Sequence, residues 1–369
     1  MSRTLELLES RVSERTHWHF LVLRDADHIA VGECSDSGQP AKLVAELALL
    51  SQDWREQGLL TEHASVLDAL ARRVGEQERP EAFVTATLMG GLEQLLTDHA
   101  AQAAGVPVWK WLGGSAPDPV RLYANINRVP GGREPADVAA AATRAVTAGF
   151  SAVKCAPFDV ALEDQPLPAA GLSRLRAVRD AVGDDVELKV DCHERLSVDE
   201  IHELLPALED LGIGWLEDAV AIEQTDDLRA LRAATTIPLA GGEFVFDPAE
   251  ARIAVAEGLV DVLMPDVKHA GGIKRVLSMA RSAPELAISP HNPSGPVATA
   301  ASAQLFAVCP NATVLENQFG EASWRSELVG GRERIADGRL HLDDRPGLGL
   351  ALNSRHPSIR VLWSTTLQR

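Results

Sequence analysis

Asp191, Glu217 and Glu243 recur every 26 residues, and Asp266, His291 and Glu316 extend the series at steps of 23, 25 and 25. Each ends, or closely follows, a short apolar run. Three carboxylates brought to one level repel one another in a partly dry site, and protonation or a divalent cation relieves them. Their donors are hard oxygens with no His or Cys among them, which suits Mg2+ with positions left for water or substrate. Asp266 and His291 make a different pair. A carboxylate bonded to one imidazole nitrogen fixes the tautomer and raises the basicity of the other, as a general base requires. His193 lies two residues beyond Asp191 in "VELKVDCHERLS". If that strand runs on, His193 shares the inward face of Asp191 and approaches the carboxylates from the side opposite His291. Lys154, in the run "SAVKCA", ends the second strand of the series.

Such spacing demands repeating elements. From residue 121 the chain carries eight short apolar runs, "RLYANI", "SAVKCA", "VELKVD", "GIGWLE", "IPLAGGE", "VDVLMPD", "LAISPH" and "ATVLE", separated by amphipathic stretches. Each interval is the length of one strand, one helix and two loops. The pattern predicts an α/β fold, a parallel (β/α) barrel, with its polar strand ends on the C-terminal rim where barrel sites are built. Helix signals agree. "SVDEIHELLPALEDLG" opens with a capping box, Ser197 and Glu200, and stops at Gly212. "DPAEARIAVAEG" offers Asp247 as N-cap, Pro248 at the first helical position and Glu250 three on from the cap.

The first 118 residues read as α+β. "HWHFLVLRD" and "HIAVGEC" pair as strands about the turn "ADH", and "AFVTATLMGGLEQLLTDHAAQAAG" is a mostly buried helix ending at Gly105. "GGSAPDP" at 113–119 punctuates the junction. The tail "RIADGRLHLDDRPGLGLALN" is unlike the repeats and is expected to return onto the N-terminal unit. The predicted organisation is a domain at 1–118, completed by 330–369, joined to a barrel at 119–329.

At 369 residues the chain holds two domains or one large barrel. A net charge of −18 argues against nucleic acid and anionic membrane surfaces as partners. It also means that an anionic substrate needs a local cation. The four cysteines, 34, 155, 192 and 309, show no CxxC spacing, which predicts reduced thiols. "MSRTLELLESRVSERTH" has neither region of a signal peptide, and no apolar run approaches the ~18 residues of a membrane span. These features predict a soluble cytoplasmic protein.

With these residues in order, the sequence resembles the enolase superfamily in its mandelate racemase-type branch. "GGLEQLLTDHAAQAAGVPVWKWLGG" resembles the helix that closes the family's N-terminal capping domain, and "ADGRLHLDDRPGLGLAL" its C-terminal return. The resemblance implies Lys154 on strand two, metal ligands Asp191, Glu217 and Glu243 for Mg2+, the Asp266/His291 dyad, and Glu316 on strand eight. It implies abstraction of the proton alpha to a carboxylate, giving an enediolate, and commonly a homo-oligomer. Ala156 stands where many racemases carry a second lysine. "DCHER" is similar to the Asp-x-His pattern of galactonate-dehydratase-like members, whose His is a general acid. Lys268 lies off the position of the muconate-lactonising branch's catalytic lysine and reads as a loop lysine.

The reaction so implied is dehydration of a sugar acid, an aldonate or aldarate. His291 takes the alpha proton, Mg2+, Lys154 and a protonated Glu316 stabilise the dianion, and His193 protonates the departing beta hydroxyl. The alternative is a racemase or epimerase of a 2-hydroxy or related acid, with His193 reprotonating carbon. A third reading is a non-catalytic metabolite-binding barrel. Specificity is expected from 9–18, 34–40 and "CAPFDV", with Arg11, Arg15 and Trp18 as candidate residues.

Overall fold

The computed structural model describes residues 3–57, 63–116 and 118–367. Met1, Ser2 and Pro117 of the segments quoted above lie outside the described residues. The chain opens with three antiparallel strands, β1 (Arg3–Arg11), β2 (His17–Arg24) and β3 (Ile29–Glu33). β2 and β3 are the pair read from the sequence. β1 has no such signal, because adjacent Leu7 and Leu8 break the period of two. The pairing of β1 with the C-terminal strand shifts register between those two leucines, an irregularity that lets both stay buried.

Helices α1 (Pro40–Gln57), α2 (His63–Glu76) and α3 (Arg79–Ala103) follow. Leu5, Leu7, Leu21 and Leu23 of the sheet share a core with Leu88, Leu92 and Leu95 of α3. Gly90 lies inside α3, where glycine costs about 0.5–1 kcal/mol relative to alanine. Close packing explains it: a Cβ on Gly90 would fall 1.9 Å from the Lys268 carbonyl oxygen. Gly90→Ala must therefore push α3 off the turn that carries Lys268. We expect it to lower unfolding free energy by about 1–3 kcal/mol, the usual range for overpacking. Urea denaturation measures this, and an unchanged midpoint would show that the contact is not tight.

After the short α4 (Val108–Trp111) come the eight predicted strands: β4 (Val120–Asn125), β5 (Ala152–Cys155), β6 (Glu187–Asp191), β7 (Ile213–Glu217), β8 (Leu239–Gly241), β9 (Val262–Leu263), β10 (Ala287–Ile288) and β11 (Leu315–Gln318). Neighbours from β4 to β10 pair in parallel in chain order. β11 pairs in parallel with β4, and an Ile288–Ala312 bridge joins its approach to β10, so the sheet returns on itself. Between the strands lie α5 (Pro135–Thr147), α6 (Leu167–Val182), α7 (Val198–Asp210), α8 (Thr225–Ala234), α9 (Pro248–Ala256), α10 (Ile273–Ser282) and α11 (Pro296–Ala303). Ser197 and Glu200 cap α7, and Asp247 and Glu250 cap α9, each as a reciprocal pair.

The C-terminal segment divides. β12 (Arg334–Ala336) and β13 (Arg339–His341) form a hairpin whose second strand pairs with β4 on the barrel, not with the N-terminal unit. Leu348 N then donates to Asp98 Oδ1 of α3 at 2.7 Å. β14 (Ile359–Leu367) completes the N-terminal sheet beside β1. All four cysteines are free and buried. Among the described residues no helix is long and apolar enough to cross a membrane.

Candidate active site

Strand register sets the heights of the acidic residues. Asp191 pairs level with Glu217, but Glu217 pairs with Ala240. Glu243 therefore lies three residues further along, beyond Gly242 at φ +111°, so the equal sequence steps do not put all three carboxylates at one level. Glycine takes that positive φ without the clash a Cβ would bring.

Lys154 is buried beneath the rim. Its ammonium bonds Glu217 and lies 3.3 Å from Asp191 Oδ2 and 2.9 Å from Glu316 Oε1. Burial disfavours its charge, but Glu217 and Glu316 outweigh that and hold it well above the usual lysine range. Burial, and then Asp191, push the Glu217 carboxyl up to about 8. Glu316 differs from the protonated acid expected of it. Every hydrogen bond at its oxygens is accepted: Oε1 from Asn125 Nδ2 at 2.6 Å, and Oε2 from the Asn292 backbone at 2.7 Å. Burial opposes its charge, yet Lys154 and His291 hold it below the ordinary carboxylate value.

The two histidines stand across the barrel from each other, after the third and seventh strands. His291 Nδ1 lies 3.0 Å from Asp266 Oδ2, and its Nε2 lies 2.9 Å from Glu243 Oε2, off the hydrogen-bonding direction. Burial opposes charge on this imidazole, but Glu243 and Asp266 raise it well above the usual histidine range. His193 reaches the site by another route than strand alternation. β6 stops at Asp191, and His193 and Glu194 turn left-handed at φ +49° and +53°. The ring nevertheless meets Asp191, with Nε2 3.1 Å from Oδ2, while Nδ1 bonds Asp159 Oδ1 at 2.7 Å. Burial works against its charge, but Asp159 and Asp191 prevail and push the imidazole up to about 11.

Lys268 does sit in a turn, but it is no solvated loop lysine. It is fully buried, with Nζ 2.6 Å from Asp266 Oδ2 and bonded to Ser294. Burial opposes the charge of Asp266, which Lys268 and the neighbouring histidines hold well below the carboxylate range. His269, beside it, bonds Thr87 Oγ1 of α3 at 2.9 Å and lies 4.5 Å from the Phe83 ring centroid. Burial pushes His269 down to about 4, so it is neutral.

A cavity of about 650 Å³ opens over the rim. Asp191, His193, Glu243 and His291 line it; Lys154, Glu217, Asp266 and Glu316 lie behind its wall. Ser13, Arg15, Thr16 and Asp36 reach it from the N-terminal loops, and Asp159, Arg128 and Glu321 from the barrel. Trp18 does not. It is fully buried, edge-on to Trp324 at 5.8 Å and under the Arg325 guanidinium. Arg11, exposed at the end of β1, is absent from the wall as well. Asp36 and Asp159 belong to the segments 34–40 and "CAPFDV" expected to set specificity, whereas nothing in the sequence marks Arg128 or His269, which join the site through contacts distant in the chain.

The acidic set fits a divalent cation. Asp191 Oδ1 and Glu243 Oε2 are buried without a hydrogen bond, a costly state for a carboxylate oxygen. Lys154 alone faces Asp191, Glu217 and Glu316 together. Asp191 and Glu217 both lean toward Lys154 and Glu243 toward His291, and the three are not gathered to ligand spacing. Among the described residues the one group with ligand atoms within 4.8 Å is Asp25, His28 and His99, away from this cavity. There Asp25 already accepts from two backbone amides and from His99.

Residues 137–356 match the family described as Enolase C-terminal domain-like. Over 292 residues the chain is 33% identical to a D-galactonate dehydratase of Verminephrobacter eiseniae, covering 76% of this chain and 75% of that one. Over 281 residues it is 32% identical to a D-gluconate dehydratase of Thermoproteus tenax, covering 74% of this chain and 56% of the relative. The match to that relative thus takes in little more than half its length. A solved mandelate racemase/muconate lactonizing enzyme-like protein from Rubrobacter xylanophilus DSM 9941 superposes with a TM-score of 0.84 at 29% identity, over 95% of each chain.

Proposed function

Because the chain belongs to the enolase superfamily, we propose that it is a Mg2+-dependent dehydratase, a hydro-lyase converting a sugar acid to its 2-keto-3-deoxy product. The observation that carries this reading is the pair of imidazoles facing one cavity from opposite sides, each backed by its own carboxylate. One suits a base and the other an acid. Relatives named as dehydratases at about one-third identity support the same class. In this reading residues 1–118 and the returning C-terminal strand cap the barrel.

Asp191, Glu217 and Glu243 would hold Mg2+, which when bound would supply positive charge to offset what the substrate carboxylate gains as the alpha proton leaves. Were Glu243 drawn onto the metal, His291 Nε2 would be free toward the cavity; Asp266 keeps Nδ1 protonated, so that Nε2 accepts the alpha proton. Lys154 stands behind the ligands as a fixed buried charge, with Glu316 and Asn125 locking it in place. His193, donating from both nitrogens, arrives protonated and passes its Nε2 proton to the beta hydroxyl, which leaves as water. The resulting enol tautomerises to the keto acid. Further from the rim, Arg15, Arg128, Asp36 and Glu321 offer donors and acceptors of both signs, which suits a hydroxylated chain.

A panel of pentonates, hexonates and hexarates, D-gluconate and D-galactonate among them, tests the reading by assay for 2-keto product. Product from at least one acid is expected. Inversion at the alpha carbon with no keto acid from any would replace the dehydratase by a racemase. Independently of turnover, Glu217→Gln is expected to weaken Mg2+ binding in calorimetry by about ten-fold or more, since even indirect partners of ligands are worth about 10–100-fold. Equal affinity in that variant would remove Glu217 from the ligand set.

A further inference from the structure

Asp159 is assigned no part by the reaction as described, yet its surroundings are built to hold it. It follows β5 in the loop 156–166 and meets His193 from 34 residues away, Oδ1 to Nδ1 at 2.7 Å. The residues on either side are clamped. Arg174 of α6, almost fully buried, donates to the Pro157 and Val160 carbonyls at 2.7 Å each and to the Arg133 carbonyl at 2.6 Å. Phe158 is buried against Gly171, where a Cβ would come within 2.1 Å of its ring. Arg133 and Arg195 each lie 3.9 Å from the Asp159 carboxylate.

The partner is held as firmly. Left-handed backbone at two consecutive non-glycine residues costs on the order of 1–3 kcal/mol each and persists where surroundings over-determine it. Here Cys192 N donates to Glu217 O at 2.8 Å, Glu194 N to Asp218 O at 2.9 Å, and Arg195 N to Cys192 O at 3.0 Å. The turn fixes where the imidazole starts. It does not fix the ring's rotation: the bond from Nδ1 to Asp159, shorter than the 3.1 Å approach of Nε2 to Asp191, anchors the far edge of the ring. A partly exposed ion pair with no such task contributes little to stability, which makes the rigid clamp around this one informative.

We propose that Asp159 is the positioning residue of the acid: it binds Nδ1 of His193 so that Nε2, and only Nε2, is presented to the leaving hydroxyl. This rests on the reading of His193 as the proton donor. Asp159 touches neither the base nor the carboxylates behind the rim, so its loss should impair one half of the reaction.

The test uses Asp159→Ala, Asp159→Asn and His193→Asn in the full chain, on the panel acid that gives keto product and on its 3-deoxy-3-fluoro analogue. Dehydration by Asp159→Ala is expected to fall about 10–100-fold, the lower part of the range for a positioned acid. Exchange of the alpha proton with deuterated solvent and elimination of fluoride, which needs no proton, should persist. Asp159→Asn should retain more activity, because its amide oxygen still accepts from Nδ1. A merely structural aspartate would reduce all three rates together, and that result, or full dehydration by Asp159→Ala, overturns the proposal. If His193→Asn uncouples the steps and Asp159→Ala does not, the positioning role alone fails. If His193→Asn itself leaves them coupled, the acid assignment and this proposal fall together. A crystal structure of Asp159→Ala needs no substrate: the ring is expected to turn from Asp191, and an unmoved ring contradicts the assignment.

Discussion

Replacing His291 with Asn is expected to stop exchange of the substrate's alpha proton with solvent, a fall of about 10⁴-fold at the upper end of what a positioned base supplies. The size follows from the lack of a substitute. Lys154 is fully buried behind the cavity wall, and its ammonium is engaged by Asp191, Glu217 and Glu316. Ala156 offers no base, and neutral His269 already bonds Thr87 and is held low by burial. Asn at 291 keeps the volume roughly and loses the proton acceptor. Proton exchange followed by NMR in deuterated buffer measures it directly. Substantial residual exchange would point to another base. Asp266→Asn should be milder, because Lys268 and the Ser294 hydroxyl still hold that corner of the site. Equal losses in the two variants would mean that the pair acts only as a unit.

Much of this site is legible in the chain because a barrel converts sequence intervals into positions on a rim. Asp191, Glu217, Asp266, His291 and Glu316 could be found from spacing alone, and the eight apolar runs correspond to β4–β11. The same logic overreaches at Glu243, which a glycine turn carries three residues past the register of Glu217. It also gives the right place for His193 on a wrong premise. The strand ends at Asp191, and a left-handed turn, which no period of two can encode, brings the ring back to its neighbour.

Other features arise only when distant segments meet. Lys268 reads as a loop lysine because sequence cannot show Gly90 of α3 closing over its carbonyl. Protonated Glu316 is a fair expectation for a crowded buried acid, but Asn125, Asn292 and Lys154 give it only donors. Trp18 sits in a loop-flanking position that invites a role in specificity, whereas its strand turns it inward against Trp324. β1 hides because its two adjacent leucines need a bulge in the pairing with β14, a strand some 350 residues away.

In the proposed reaction two histidines on opposite sides of one cavity divide the labour between them. His193→Asn tests this division most directly, with alpha-proton exchange and loss of the beta hydroxyl measured on the same acid in deuterated buffer. The variant keeps His291, Asp266 and all three proposed metal ligands, so exchange should continue near its normal rate. Hydroxide is a poor leaving group unless protonated, so dehydration should fall by about 10²–10⁴-fold. The ratio of exchange to dehydration should rise by the same factor, and the 3-deoxy-3-fluoro analogue should still lose fluoride. Equal loss of exchange and dehydration, or no change in either, would contradict the account.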